Sequence, residues 1–529
     1  MTAPEKIDLT AYGLDHSPVI KSVTVDVESP SLRDNTGLFE RISRAVTEAV
    51  GVPVGGLALP LGRKLNRLFP DSSSSIQVAY QMEGGQARLV DVRPQTYTGP
   101  VYGLAMDLGS STLVLSLVAL DPSRIIEEIT LENPQAEYGA DILTRAHFAE
   151  QAGGLAALAE VLRQKVNEGV SILCDRNNVE ADRILVAAMA GNTVMTHFYL
   201  KLPTASIIRE PYVPVINRPQ GLTAAELDLR ISPSAPVMIL PNKGAYFGGD
   251  LMAGLVLAGF SRAEKPCLLV DVGTNAEVVL GQKDWLIGAA GAAGPALEGG
   301  VARMGMIAGP GVIDRVRIDR RTLAVEYQTI DHLPPKGICG SGLIDLLAEL
   351  FLSGIIDFSG KLTLSPGHGR LAATDEGPAF VMAPADETDR GEPLLLSEVE
   401  IDILLRSKAA MYTILETITG SVGLNFDEID RFFVAGTFGQ FIDPRMAVAL
   451  GMLPDIPFEK YQSLGNASLK GAILTLLSEK ARNEVQEIWE RLTYLELNVN
   501  QDLMNRFSAA RFIPHTHREL FPSVGTSIK

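Results

Sequence analysis

The chain has 529 residues, of which 46% are hydrophobic, and a formal net charge of -17. This length suffices for several hydrophobic cores and predicts about three or four domains. Because the sequence contains no Lys/Arg-rich run, its composition argues against non-specific nucleic-acid binding. The first residues lack an apolar signal segment, and the apolar stretches are too short to span a bilayer. We therefore expect a soluble, cytoplasmic protein without membrane or nucleic-acid partners.

The N-terminal part of the chain has the pattern of a small α+β domain. Ile20–Val27 alternates between polar and apolar residues like a strand, and residues 35–50 carry one apolar helical face, with Asp34 or Asn35 as the expected cap. Two further strands flank the turn Glu83-Gly84-Gly85, which is a hairpin signal. The sequence therefore predicts a small domain and a linker ahead of the remaining chain.

Two stretches share one pattern, in which an apolar strand ends in an Asp-x-Gly turn with polar side chains and is followed by a second apolar strand. The turn residues are Asp107, Gly109, Ser110, Ser111 and Thr112 in the first stretch, and Asp271, Gly273, Thr274 and Asn275 in the second. Glycine lets the backbone approach a ligand closely, and successive N–H groups form a concave anion site. Since a carboxylate does not bind phosphate directly, we assign Asp107 and Asp271 to Mg²⁺. Two such turns suggest two related half-domains that face one polyphosphate.

Further glycine-containing turns extend this predicted nucleotide site. Gly436, Thr437 and Gly439 follow a buried strand, and we expect them to lie against adenine or ribose. Two other turns, Gly191-Asn192 and Gly340-Ser341-Gly342, each precede a helix, whose N-terminus suits an anion. Glu277 and Glu298 are the candidates for positioning the attacking water, and the sequence does not decide between them.

The order of these turns is typical of the actin, sugar-kinase and heat-shock-protein ATPase superfamily. We therefore expect a duplicated α/β fold of this type, with a small α+β domain at residues 1–98 and ATPase half-domains at residues 99–265 and 266–529. The turn Gly465-Asn466-Ala467 repeats the pattern of Gly191-Asn192-Thr193, which supports an internal duplication.

Four residues with reactive side chains are expected to be structural. Cys174, Cys267 and Cys339 are widely spaced, so the sequence favours buried reduced thiols over a zinc ribbon or a self-contained iron–sulfur cluster. His197 has no partner that the sequence identifies, so we expect a packed, hydrogen-bonded helix residue.

Six ordered motifs resemble those of the ATP-dependent reductive activators of corrinoid proteins. They lie at residues 133–141, 191–197, 271–277, 293–299, 337–342 and 435–439. The likeness extends over most of the chain, from about residue 20 to about residue 477. It implies an actin-like domain that binds ATP and Mg²⁺. It also implies ATP hydrolysis coupled to reduction of Co(II) to Co(I) on a methyltransferase-associated corrinoid protein.

The chain departs from this family pattern in its cysteines. Such activators usually carry an iron–sulfur domain, and a plant-type [2Fe–2S] module needs four clustered thiolates. We therefore expect no iron–sulfur cluster in this chain and an external or detached ferredoxin-type electron donor. A homodimer is compatible with the sequence, which does not fix the assembly state.

Two other functions stay open at this point, namely a small-molecule kinase of the same superfamily and a nucleotide-gated scaffold. Slow ATPase activity stimulated by a corrinoid protein favours the activator. Rapid phosphorylation of a metabolite favours the kinase, and ATP binding without turnover favours the scaffold.

Overall fold

The computed structural model describes residues 5–29, 31–65, 74–95, 99–273, 276–291, 302–365, 367–436, 442–497 and 502–525. The chain divides into two compact units. Unit 1 comprises Met1–Gly259 and Ala467–Glu490, and unit 2 comprises Phe260–Asn466 and Arg491–Lys529. The division into three domains at residues 98 and 265 stays a prediction. Within the described ranges, no helix is both long enough and apolar enough to cross a membrane.

The helices and strands are numbered here in chain order. Residues 5–258 form β1 (Glu5–Lys6), β2 (Ile20–Val27), α1 (Leu38–Val50), α2 (Leu59–Leu65), β3 (Ser74–Glu83), β4 (Gln86–Pro94), β5 (Tyr102–Leu108), β6 (Thr112–Ala119), β7 (Arg124–Glu132), α3 (Ile142–Ala149), α4 (Gly154–Asn177), β8 (Ile184–Gly191), α5 (Thr193–Leu200), β9 (Val237–Ile239) and α6 (Gly249–Ala258). Residues 267–525 form β10 (Cys267–Val272), β11 (Ala276–Gln282), β12 (Trp285–Gly291), β13 (Val312–Ile318), β14 (Val325–Thr329), β15 (Gly337–Ile338), α7 (Gly340–Leu352), β16 (Leu371–Thr374), β17 (Gly377–Ala383), β18 (Leu394–Ser397), α8 (Glu398–Ser421), β19 (Arg431–Ala435), α9 (Pro444–Leu450), β20 (Tyr461–Gly465), α10 (Ala467–Leu477), α11 (Glu479–Arg491), β21 (Leu492–Tyr494), α12 (Asp502–Ala510) and α13 (Pro522–Gly525).

The N-terminal part of unit 1 is a three-stranded antiparallel sheet, β2-β3-β4, that packs against α1 and α2. The predicted strand and hairpin are confirmed. The predicted helix cap is wrong, because α1 begins after Gly37, which makes no side-chain cap. Asp34 instead accepts hydrogen bonds from Thr36 and pairs with the buried Arg41 at 2.6 Å. The Asp34 carboxylate therefore makes its contacts in the segment before α1 and does not cap the helix.

The central sheet of unit 1 has the strand order β1-β7-β6-β5-β8-β9 in the described chain. Strands β5, β6 and β7 pair antiparallel, while β8 and β9 continue the sheet in parallel with β5. Buried apolar side chains line β5 and β8 on both faces, as expected for central strands covered by helices. Helix α10 is part of this unit and packs against β5, β8 and α6.

Five strands of the central sheet of unit 2 repeat this topology, whereas the edge strand β21 is parallel to β12 and its counterpart β1 is antiparallel to β7. The order of the unit 2 sheet is β20-β19-β10-β11-β12-β21, with β10, β11 and β12 antiparallel and with β19 and β20 parallel to β10. Strands β5 to β7 thus correspond to β10 to β12, and β8 and β9 correspond to β19 and β20. The expected duplicated α/β fold is confirmed.

The correspondence that the sequence suggested between two of the turns is wrong in detail. Gly191 is the last residue of β8, whose counterpart is β19, and the residue after β19 is Gly436. Gly465 instead ends β20, the counterpart of β9. Residues 465–467 resemble residues 191–193 in sequence because both turns lead into a helix.

A buried lysine holds the C-terminal segment in unit 2. Lys408 of α8 is completely buried, and its Nζ donates to the carbonyl oxygens of Phe512 at 2.7 Å, Pro514 at 2.6 Å and Gly451 at 3.4 Å. Burial lowers the pKa of Lys408, while the three acceptors favour the ammonium form. Residues 507–525 carry no motif in the sequence, yet Ile513 is among the side chains that complete the core.

We expect Lys408→Met to lower the free energy of unfolding by about 2–4 kcal/mol, because it leaves three carbonyl groups near the core without their donor. Lys361→Met is the matched control, since the Lys361 side chain is 64% exposed in a surface ion pair with Glu398. The control substitution should lower the free energy of unfolding by less than about 1 kcal/mol. Calorimetric unfolding of the two variants checks this, and equal losses would contradict the structural role of Lys408.

Candidate functional site

The first Asp-x-Gly turn lies at the end of β5 in unit 1. Asp107 is half-buried there, and its Oδ1 accepts a hydrogen bond from the Ser468 hydroxyl at 2.7 Å. A Cβ on Gly109 would lie 2.6 Å from the carbonyl oxygen of Thr112, so only glycine permits so tight a turn. Ser111 and Thr112 are exposed at this turn.

Two side chains hold the backbone of this turn by its carbonyl groups. Asn133 Nδ2 donates to Gly109 O at 2.9 Å, and Arg145 Nη1 donates to Ser110 O at 2.5 Å. Arg145 is buried, so a positive charge lies behind the turn, where it favours an anionic ligand. Arg145 was not among the site residues predicted from the sequence. The available signal was an arginine four residues after the helix-capping Asp141.

The turn Gly191-Asn192 lies at the same edge of the unit 1 sheet, because β8 runs parallel to β5 and pairs Gly191 with Leu108. Asn192 caps α5 by accepting from Met195 N at 2.9 Å. A Cβ on Gly248 would lie 2.5 Å from Asn192 Cα, so the start of α6 packs directly on this turn.

This packing also brings a further carboxylate, Asp250, to the same edge of the sheet. Asp250 lies in the first turn of α6 and was not selected from the sequence. The Gly-Gly-Asp pattern at the start of that helix was the available signal.

His197 is the packed residue that the sequence predicted. Its Nδ1 lies 2.7 Å from Thr193 O, and its Nε2 accepts from Val215 N at 3.1 Å. Both ring nitrogens of the neutral imidazole therefore have hydrogen-bond partners. Burial lowers the pKa of His197. These contacts favour a structural role.

The second Asp-x-Gly turn lies in unit 2 at the position equivalent to the first. Asp271 of β10 is half-buried and pairs across the ladders with Glu277 of β11 and Ala435 of β19. Residues directly opposite in an antiparallel pair share a sheet face, so Asp271 and Glu277 lie on one face. Gly273 follows β10 and is half-buried.

Gly436 brings its backbone against the Asp271 carboxylate. It has a φ of +82°, and a Cβ at this position would lie 2.8 Å from Asp271 Oδ1 and 3.2 Å from Val272 O. The position therefore requires glycine for both its conformation and its space. Thr274, Asn275, Glu298, Thr437 and Gly439 lie outside the described residues, and their assignment stays a prediction.

The turn Gly340-Ser341-Gly342 has a packing role that the sequence did not indicate. A Cβ on Gly342 would lie 2.6 Å from Ile313 O, so this glycine allows α7 to pack closely on β13. The Ser341 hydroxyl is directed to Asp314 O at 3.3 Å. The assignment of Gly340, Ser341 and Gly342 to a nucleotide stays a prediction.

Two buried carboxyl groups of α7 bind the backbone of β13. Asp345 accepts from Val316 N at 3.5 Å, and Glu349 accepts from Ile318 N at 3.3 Å. Burial raises the pKa of both groups, that of Asp345 to about 7. Arg315, whose Nη1 lies 3.8 Å from Asp345 Oδ2, opposes the rise in the pKa of Asp345, whereas Asp443 and Glu349 add to it.

Mg²⁺ fits the two Asp-x-Gly turns by the chemistry of their donors. In the described part of the chain, no three His, Cys, Asp or Glu residues are grouped to hold a metal. Mg²⁺ does not need such a cage, because it commonly keeps waters and binds one or two carboxylates together with substrate phosphates. Asp107 and Asp271 are carboxylates of this kind, and their assignment to Mg²⁺ stays a prediction.

The predicted burial of the three cysteines is confirmed, since Cys174, Cys267 and Cys339 are free and buried.

Comparison with known proteins supports the reading of the fold. Residues 11–99 match the family model of the RACo linker region, residues 102–263 match the RACo middle region, and residues 265–525 match the C-terminal domain of RACo, the ASKHA domain. A solved reductive activator for corrinoid, iron–sulfur protein has a TM-score of 0.85 and 34% identity, covering 99% of this chain and 85% of its own.

Two relatives are similar over most of the chain. The corrinoid activation enzyme RamQ of Eubacterium limosum is 28% identical over 419 residues, which are 78% of this chain and 70% of RamQ. A reductase of the Co(II) methylated amine-specific corrinoid protein from Methanosarcina barkeri is 24% identical over 427 residues, which are 74% of this chain and 73% of the reductase.

Two duplicated sheets, each with an Asp-x-Gly hairpin at the same place, define the ASKHA fold of actin, sugar kinases and heat-shock-protein ATPases. Within that class, the chain belongs to the RACo family. The resemblance inferred from the six sequence motifs is thereby confirmed.

The stability of unit 2 should depend on pH through Asp345. Because the pKa in the folded state is raised from 3.8 to about 7, the folded protein binds more protons than the unfolded one, and stability falls as pH rises through this range. Asp345→Asn keeps an acceptor for Val316 N and should remove this loss, which is at most about 4 kcal/mol. Calorimetry from pH 5 to pH 8 measures the part of this loss that falls in that range, about 2.6 kcal/mol.

The control is Asp284→Asn, which changes an exposed aspartate in the turn between β11 and β12. This control should retain the pH dependence of the original chain. An Asp345→Asn variant with an unaltered pH dependence would show that Asp345 is ionised in the folded state at neutral pH.

Proposed function

We propose that the chain reductively activates a corrinoid protein, coupling ATP binding and hydrolysis to the reduction of Co(II) to Co(I). The observation that carries the proposal is the similarity to the solved reductive activator over 99% of the chain. The two curated relatives, whose names describe corrinoid activation and corrinoid-protein reduction, support the same reaction.

In this proposal, the duplicated turns bind Mg-ATP. Asp107 and Asp271 orient Mg²⁺ or its waters, and Mg²⁺ when bound offsets phosphate charge. The proposed phosphate contacts in unit 1 are Gly109, Ser110, Ser111 and Thr112 of the first turn, together with Gly191 and Asn192. The proposed phosphate contacts in unit 2 are Gly273, Thr274, Asn275 and the segment Gly340-Ser341-Gly342. The proposed nucleoside contacts are Gly436, Thr437 and Gly439.

The support for this assignment is the equivalence of the two turns. Asp107 pairs with Ala190 of the parallel neighbour β8, and Asp271 pairs with Ala435 of the parallel neighbour β19. Each carboxylate therefore occupies the same register in its own sheet. Glu277, which shares a sheet face with Asp271, is one candidate for positioning water, and Glu298 is the other.

ATP assists a low-potential reduction only if the nucleotide state changes the affinity of the protein for one cobalt state or conformation. In this proposal, loss of the γ-phosphate removes a ligand of the Asp-x-Gly turns, which provides such a difference. The electrons come from an iron–sulfur donor outside this sequence, either a separate ferredoxin-type protein or a detached domain.

The direct test combines the chain with a Co(II) corrinoid protein, a reduced ferredoxin-type donor and Mg-ATP, and follows Co(I) formation by visible absorbance. We expect slow ATP hydrolysis that the corrinoid protein stimulates, and Co(I) that forms only with ATP. Rapid phosphorylation of a small metabolite would instead identify a kinase, and ATP binding without turnover would identify a scaffold.

Asp107→Asn and Asp271→Asn should each lower ATP-dependent Co(I) formation by about 100-fold or more, because an amide is a much weaker ligand for Mg²⁺ than a carboxylate. Asp375→Asn, at an exposed aspartate in the turn between β16 and β17, is the control and should leave the rate unchanged. Full activity in either of the first two variants would remove that carboxylate from the site.

Gly436→Ala should weaken Mg-ATP binding by about 10-fold or more, because the new methyl group displaces the Asp271 carboxylate. Gly423→Ala is the matched control: Gly423 also has a positive φ, +72°, but a Cβ there meets nothing within 4 Å. Both variants carry the backbone strain, so the contacts of the new methyl group with Asp271 Oδ1 and Val272 O distinguish them. Calorimetric titration with Mg-ATP should show the loss in the first variant alone.

A further inference from the structure

Ser468 contacts the first Asp-x-Gly carboxylate from outside the turn. We propose that Ser468 is a positioning residue that fixes the orientation of Asp107 toward Mg²⁺. The inference deepens the proposed function and rests on it, because the metal bound by Asp107 is part of that function. The Ser468 hydroxyl donates to Asp107 Oδ1 at 2.7 Å, although 361 positions separate the two residues in sequence.

The Ser468 hydroxyl belongs to a helix that is closely packed against its neighbours. Ser468 lies in the first turn of α10, between the buried residues Ala467 and Leu469. A Cβ on Gly471, one turn later, would lie 2.3 Å from Ala253 O, so α10 and α6 are in close backbone contact. This packing fixes the position of Ser468 relative to β5, against which α10 also packs.

The chemistry of the contact suits a metal-binding carboxylate. A hydroxyl that donates to a carboxylate makes a short, charge-assisted hydrogen bond. This bond fixes the position of Asp107 Oδ1 and therefore the orientation of the carboxylate plane. Because serine is neutral, it orients Asp107 without cancelling the charge that attracts Mg²⁺, as a lysine or arginine would. The first turn of a helix also favours a nearby negative charge. Groups that orient metal ligands in this way typically change metal affinity by about 10–100-fold when removed.

The test uses the whole chain and measures ATP binding by calorimetry over a range of MgCl₂ concentrations, and also in EDTA. Ser468→Ala should raise the Mg²⁺ concentration needed for half of the Mg²⁺-dependent gain in ATP affinity by about 10-fold. ATP affinity in EDTA should stay unchanged. Ser468→Thr keeps the hydroxyl and should return the Mg²⁺ requirement to within about threefold of the original.

Ser171→Ala is the matched control, because the Ser171 hydroxyl also lies on a helix but donates to a carbonyl oxygen of its own helix, Asn167 O. It should bind ATP like the original chain. In the Asp107→Asn background, Ser468→Ala should have no further effect, since Ser468 acts through that carboxylate.

Three results would overturn the inference. The first is an unchanged Mg²⁺ requirement in Ser468→Ala while the original chain shows Mg²⁺-dependent ATP binding. The second is an equal loss of ATP affinity with Mg²⁺ and in EDTA, which would show a purely structural role. The third is an additive effect in the Asp107→Asn background. If the original chain itself shows no Mg²⁺-dependent ATP binding, the proposed function fails, and the inference fails with it.

Discussion

The site in each unit depends on parallel pairing between the first strand of a hairpin and a strand from much later in the chain. Strand β5 pairs with β8, and β10 pairs with β19. Parallel neighbours end at the same edge of a sheet, so this pairing places an Asp-x-Gly turn beside a second glycine-containing turn. The close approach of Gly436 to Asp271 is a direct result.

Buried charges in both units are stabilised mainly by backbone groups. Lys408 donates to carbonyl oxygens of the C-terminal segment, and Arg145 donates to Gly139 O and Ser110 O. Such contacts satisfy the buried group and at the same time join two distant segments. The charges therefore specify which segments pack together, at a cost in desolvation.

The segment Ala467–Glu490 shows how the chain combines distant sequence in one unit. It follows β20 and precedes β21, which form the two edges of the unit 2 sheet, yet it packs within unit 1. Ser17 and Val19 donate backbone hydrogen bonds to Leu477 and Leu476 at its first helix, and Ser468 of that helix contacts Asp107. Unit 1 is thus completed by a segment that lies more than 200 residues after Gly259 in the sequence.

The sequence by itself determined the duplicated α/β fold, the Asp-x-Gly hairpins and the structural role of His197, because each depends on periodicity or on neighbouring residues. Only the tertiary structure decided that Gly436 corresponds to Gly191, that Gly342 serves helix packing, and that Arg145 and Ser468 contact the first turn. These relations join residues that lie far apart along the chain, and they follow from strand order and helix packing. Local pattern carries no information about which distant segment will supply the partner.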